Sequence, residues 1–146
     1  MNDIASSLGE LVQILNNGIE FYRGASAKVS DPALAGCFQR MAYLKQTIAA
    51  DLNAEIAIQG EPPREAGSFA GSMQRAYADV LAKLSDDTAQ IYIVQLEEHE
   101  DKLLAAFREA VLGDPSARVR DLALLHFPEI DKMHSEMRRL KLARAS

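Results

Sequence analysis

Two glutamates three positions apart, Glu97 and Glu100, and two histidines eight apart, His126 and His134, are the side chains in this sequence best suited to chemistry. Carboxylates and imidazoles on facing helices can hold divalent cations, with carboxylates bridging a pair of iron or manganese ions. A spacing of three or four residues sets two side chains on one face of a helix. Lys45 is the remaining candidate, because it falls between Met41 and Ile48 on what reads as an apolar stripe. A lysine there points to a buried ion pair, since charges leave water only when they are paired.

These residues need long helices to position them, and the composition supplies those. The 146 residues suggest a single domain over 1–146, with 48% hydrophobic and 25% charged residues as in an ordinary globular chain. There are 23 Ala and 17 Leu against 6 Val and no Trp, a bias toward helix over strand. Punctuation falls at Ser30-Asp31-Pro32, at Gly60-Glu61-Pro62-Pro63 with Gly67-Ser68, at Ser85-Asp86-Asp87-Thr88 and at Gly113-Asp114-Pro115. Both Asp-Pro pairs read as an N-cap followed by the first helical residue. Helices are therefore predicted over about 3–28, 32–59, 69–84, 88–112 and 115–142.

Each segment carries one apolar stripe. The first has Ile4, Leu8, Leu11, Leu15, Ile19 and Tyr22; the second has Leu34, Phe38, Met41, Ile48, Leu52 and Ile56. The short third has Phe69, Met73, Tyr77, Val80 and Leu84. The fourth runs from Ile93 through Leu96, Leu103 and Leu104 to Phe107, and the last from Val119 through Ile130 to Leu140. This is the period of amphipathic helices. Segments one and two, and four and five, are joined by a few residues and must form antiparallel hairpins. The link over 60–86 is long enough to run back along a helix of about 40 Å. The expectation is an all-α four-helix bundle with one long crossover that carries a short extra helix.

Stepping about 100° per residue sorts the polar side chains. Glu97 and Glu100 fall on the line from Ile93 to Leu104, whereas Glu98 and His99 point outward. His126 and His134 fall on the last stripe, and Asp131 on its flank. Glu20 belongs to solvent. Two readings follow. In one, Lys45, Glu97, Glu100 and His126 form an inward polar network with no cofactor. In the other, Glu97, Glu100, His126 and His134 hold a transition-metal ion. The dinuclear reading lacks its usual pattern of inward carboxylates and Glu-x-x-His, for Lys45 and Ile48 stand at that spacing in the second helix. The network reading is preferred, and with it a protein that is not an enzyme.

Other features exclude more than they assign. A net charge of −5, from 16 basic and 21 acidic residues, argues against nucleic acid. Cys37 is single, so no intrachain disulfide forms, and a reducing, cytoplasmic setting is expected. Its place between Leu34 and Phe38 reads as packing rather than catalysis. The first residues lack the pattern of a signal peptide, and no apolar run approaches the length of a membrane span. Pro128 should kink the last helix. Phe21 and Ile14, at the edge of the first stripe, suggest self-association, with a homodimer as the expected form.

The chain resembles the small bacterial ferritin-like four-helix-bundle proteins classed as a domain of unknown function. The resemblance rests on N-N-G-I-E-F-Y-R-G-A at 16–25, V-S-D-P-A-L at 29–34, E-E-H-E-D with A-F-R-E-A-V across 97–111, and E-I-D-K-M-H at 129–134. It implies the ferritin-like fold and no established activity. Against iron-binding ferritin-like enzymes, Leu15 stands where the first helix would carry its ligand glutamate. Lys45 and Ile48 replace the Glu-x-x-His of the second helix. Glu97 or Glu100 would match the third ligand helix, and His134 the last. Half the ligand set is missing, which argues against oxidative iron chemistry.

Overall fold

The computed structural model describes residues 3–65 and 68–145, all helix and connecting turns. Five helices follow in order: α1 Asp3–Lys28, α2 Pro32–Ile58, α3 Phe69–Leu84, α4 Thr88–Gly113 and α5 Ala117–Ala145. The four long ones form the bundle and α3 lies in the crossover. Gly67 and the side chain of Phe69, both used above, lie outside the described residues.

Capping residues set the helix starts. Asp31 accepts a hydrogen bond from the Ala33 N–H (3.0 Å) with Pro32 at the first helical position. Asp87 does the same for Gln90, and Ser68 for Gly71. The second Asp-Pro pair departs from the expected pattern. Asp114 closes α4, its N–H donating to the Ala110 carbonyl, and its side chain accepts from the Ser116 N–H. Ser116 caps α5 instead, its Oγ accepting from Val119 and its carbonyl from Arg120. A hydroxyl two residues beyond the aspartate moves the start of the helix. Further on, α5 stays helical through Pro128.

Side-chain pairs fix the directions. Along α2, residues Arg40, Lys45, Asp51 and Glu55 meet Glu136, Met133, His126 and Arg118 of α5, so rising numbers face falling ones. In α1 and α4, Ser7 and Ile14 share a groove with Gly113 and Ala106, and Tyr22 reaches Glu100. Thus α1 is antiparallel to α2 and α4, α5 is antiparallel to both α2 and α4, and α2 runs parallel to α4 on the diagonal. Only a crossover the length of the bundle can connect α2 to a parallel α4. It is held down by three asparagines. The Arg64 N–H donates to Asn53 (2.9 Å), and its carbonyl accepts from Asn16 (2.9 Å) and Asn53 (3.2 Å). Asn17 grips Ser68, donating to its hydroxyl oxygen and accepting from its backbone N–H. A Cβ at Gly9 would stand 2.7 Å from the Arg64 guanidinium carbon, so this glycine makes room for the strap.

The stripes of α1, α2 and α4 face inward as predicted, and Leu8, Leu15, Phe38, Leu52, Ile93 and Phe107 are fully buried. The α3 stripe is the exception. Met73, Tyr77, Val80 and Leu84 are exposed, while Gly71, Ala78 and Ala82 face the bundle. A helix laid over an already closed core buries its small side, because only small residues let backbones approach closely. Phe21 is buried and so does not present the apolar edge expected of it, while Ile14 is half-buried, packed on the core and lining the α1–α4 groove.

Candidate functional site

Each long helix sends one side chain to a common point in the interior: Tyr22 from α1, Lys45 from α2, Glu100 from α4 and Met133 from α5. The Lys45 Nζ lies 2.6 Å from Glu100 Oε2, and both side chains have zero exposure. The ammonium also meets the Met133 sulfur at 3.4 Å and stands 4.8 Å from the centre of the Tyr22 ring. A carboxylate, a thioether and a ring face thus surround its three donors. The Tyr22 hydroxyl donates to the same carboxylate oxygen. Phe38 packs edge-on to Tyr22 at 5.8 Å and helps to hold the ring.

The electrostatics follow from burial against pairing. Burial lowers the Lys45 ammonium from its ordinary range, and the Glu100 charge opposes that shift. Burial would raise the Glu100 carboxyl, but Lys45, with smaller help from the Tyr22 hydroxyl, holds it below the usual carboxylate range. Tyr22 is pushed well up by burial and by the adjacent carboxylate, so it remains a hydrogen-bond donor. The 2.6 Å contact is the geometry of an ammonium–carboxylate pair, with the Tyr22 phenol donating to the same oxygen.

His99 belongs to this interior, contrary to its expected outward position. It is buried, edge-on to Tyr22, with its Nε2 against Gly18. A Cβ at Gly18 would stand 2.3 Å from that nitrogen. The glycine in the middle of α1 was the one sequence signal for an inward ring, since it opens the α1–α4 contact to a large side chain. Burial lowers the His99 pKa from 6.5 to about 4, so the ring is neutral. His99 Nε2 and Glu100 Oε1 are buried and find no hydrogen-bond partner among the described residues.

The other candidates separate. Glu97 is buried, but it turns to the α4–α5 edge, where Lys141 lies 3.1 Å away and His134 and Arg138 lie 4.0 Å away. His134 bonds Asp101 at 2.5 Å. His126 is directed away from the interior to Asp51 of α2, at 2.6 Å. The inward network expected of Lys45, Glu97, Glu100 and His126 is therefore reduced to Lys45 and Glu100. The metal set of Glu97, Glu100, His126 and His134 is divided among three places. Counting 100° per residue does not resolve these directions, because Glu97 and Glu100 lie only about 60° apart on α4, yet Glu100 meets Lys45 of α2 while Glu97 meets Lys141 and His134 of α5. Glu55, which follows Leu52 in the sequence, is buried against Arg118 at 2.6 Å. Cys37 is half-buried, with its thiol facing Glu136 and Arg40, and burial pushes its pKa up.

The residues at the centre do not fit a dinuclear metal site. Glu100 is the one carboxylate there, and its Oε2 already takes Lys45 and Tyr22. An added cation would face the Lys45 ammonium directly, and Leu15 offers no ligand.

The five-helix order, the lengthwise crossover and the four inward-pointing helices define a ferritin-like four-helix bundle. A solved structure of a mutant of Mycobacterium smegmatis Dps1 shares this fold, with a TM-score of 0.72 over 95% of each chain at 19% identity. No curated protein matches the sequence. The chain belongs to the family described as Domain of unknown function (DUF2383), whose model matches residues 3–112. That span contains Tyr22, Lys45, His99 and Glu100, and stops before α5.

Two outcomes are expected. Lys45→Met and Glu100→Gln should each destabilise the fold by about 3–5 kcal/mol in urea unfolding, because each leaves a partner buried and unpaired. The double variant should regain most of that loss; simple addition of the two losses would show that the residues are not coupled. Acid should act through His99. Its folded pKa lies below that of the unfolded chain, so stability is full above pH 6.5 and falls as the pH drops toward about 4. The loss is on the order of 3 kcal/mol. His99→Gln should flatten this part of the pH–stability curve, and an unchanged slope would place the titration elsewhere.

Proposed function

We propose that this protein is a non-enzymatic ferritin-like bundle in which an ion pair takes the place of a metal centre, and that it acts by self-association as a homodimer. The observation that carries the first part is the fully buried Lys45–Glu100 contact at 2.6 Å, where positive charge is supplied by the chain itself. Among the described residues, the polar groups of that interior are committed to one another or to packing. The carboxylate is doubly occupied, the tyrosine is held protonated and the histidine is packed against Gly18.

Self-association is supported by α3. Met73, Tyr77, Val80 and Leu84 lie four, three and four residues apart, one face of a helix, and all are exposed. Two of the charges of α3 are drawn back to the body of the bundle, Arg75 to Glu20 and Asp79 to Lys28, while Lys83 stays exposed at the end of the stripe. A second copy presents the same stripe, so a twofold contact covers both at once. Among the described residues no helix is long and apolar enough to cross a membrane. A cytoplasmic setting agrees with the lone, half-buried Cys37.

Sedimentation velocity tests this reading. The wild-type chain is expected to sediment as a dimer at micromolar concentration, and Tyr77→Glu/Val80→Glu as a folded monomer. A wild-type monomer throughout that range, or a dimer indifferent to the two substitutions, would contradict it.

A further inference from the structure

The described residues contain two surface histidine–aspartate pairs, His126–Asp51 between α5 and α2 and His134–Asp101 between α5 and α4. They differ in one respect. At the second, a third ligand is present: Glu97 stands one turn before Asp101 on α4, and single ligand atoms of Glu97, Asp101 and His134 all lie within 4.8 Å of one another. We propose that these three residues bind a divalent first-row transition-metal ion, at a site separate from the buried ion pair and independent of how that pair is read.

The geometry and the donor chemistry agree. Metal–oxygen and metal–nitrogen bonds run about 2.0–2.2 Å, so donors on opposite sides of an ion stand about 4.2 Å apart. Movements of an ångström or less bring the three atoms onto one ion. Two of the donors come from successive turns of α4 and the third from the facing turn of α5, so rigid helices fix the site. Glu97 is the buried anchor, 2% exposed, while Asp101 and His134 are open enough to water for further ligands to complete the coordination shell. An imidazole with two carboxylates suits Zn²⁺, Fe²⁺ or Mn²⁺ and not Mg²⁺ or Ca²⁺, and Zn²⁺ binds most tightly of the first three.

Two cations already approach Glu97, and their arrangement leaves room. Lys141 bonds Oε2, whereas Oε1 is the oxygen turned to His134. Arg138 stands 4.0 Å from Oε1 on an exposed side chain and can move into solvent. Lys141 can remain on the outer oxygen and orient the carboxylate from behind, though its charge opposes the ion.

Calorimetric titration of Zn²⁺ into the chelator-treated full chain at neutral pH tests the site. One ion per chain is expected. Asp101→Asn and His134→Gln should each weaken binding at least tenfold, and Lys141→Met should tighten it. His126→Gln, which alters the pair lacking a third carboxylate, should leave binding unchanged. Circular dichroism confirms that each surface variant is folded. The proposal is overturned by the absence of saturable binding near one equivalent. It is equally overturned if both triad variants keep wild-type affinity, or if His126→Gln is the variant that loses it.

Discussion

A lysine ammonium has been taken completely out of water at the midpoint of this bundle, and the surrounding side chains are arranged to make that possible. Removing such a charge from water costs several kcal/mol, repaid only by close and well-directed partners. Glu100 supplies the opposite charge, Met133 a soft acceptor and Tyr22 a ring face, with the tyrosine hydroxyl sharing the same carboxylate. Deleting one member leaves another stranded. The surrounding leucines and phenylalanines would tolerate many apolar replacements, whereas this contact specifies which residue must face which.

That requirement reaches the topology. Lys45 and Glu100 sit on diagonal helices, and among the described residues no Cα atoms of α2 and α4 come within 8 Å of each other. Their backbones stay apart across the diagonal, and the Lys45–Glu100 contact at the centre ties the register of one helix to that of the other. The long crossover makes those helices parallel and brings residues 45 and 100 to one level. Asn16, Asn17 and Asn53 then hold the strap that the crossover requires. A lengthwise strap also accounts for the outward apolar face of α3, since the core beneath is already closed by four helices and the buried positions of α3, among the described residues, are the small Gly71, Ala78 and Ala82.

Much of this was legible in the sequence because helix periodicity and connection length are local signals. The stripes of α1, α2 and α4, the two hairpins and the nearness of Lys45 to Glu100 all follow from counting residues. What escaped depends on neighbours. Ser116 displaced Asp114 as a cap because a second local acceptor was present. The stripe of α3 faced outward because inwardness is decided by what is left to cover, not by amphipathicity. His99 was buried by the space at Gly18, on a different helix. His126 and His134 kept helical positions close to those expected, yet each swung to an aspartate at the edge of α5. A flexible polar side chain at the border of a stripe takes the nearest charge, and helix angle alone does not say which charge is nearest.

The central claim is that the bundle carries its own cation at the centre, in place of a bound one. Nitrogen-15 NMR of the lysine side chains tests this most directly, because an ammonium, a neutral amine and a solvent-exchanging ammonium give different signals. At neutral pH one lysine resonance is expected to be a fully protonated ammonium, protected from exchange with water and absent from Lys45→Met. A Lys45 signal in the neutral amine form, or one that exchanges as fast as the surface lysines, would contradict the account.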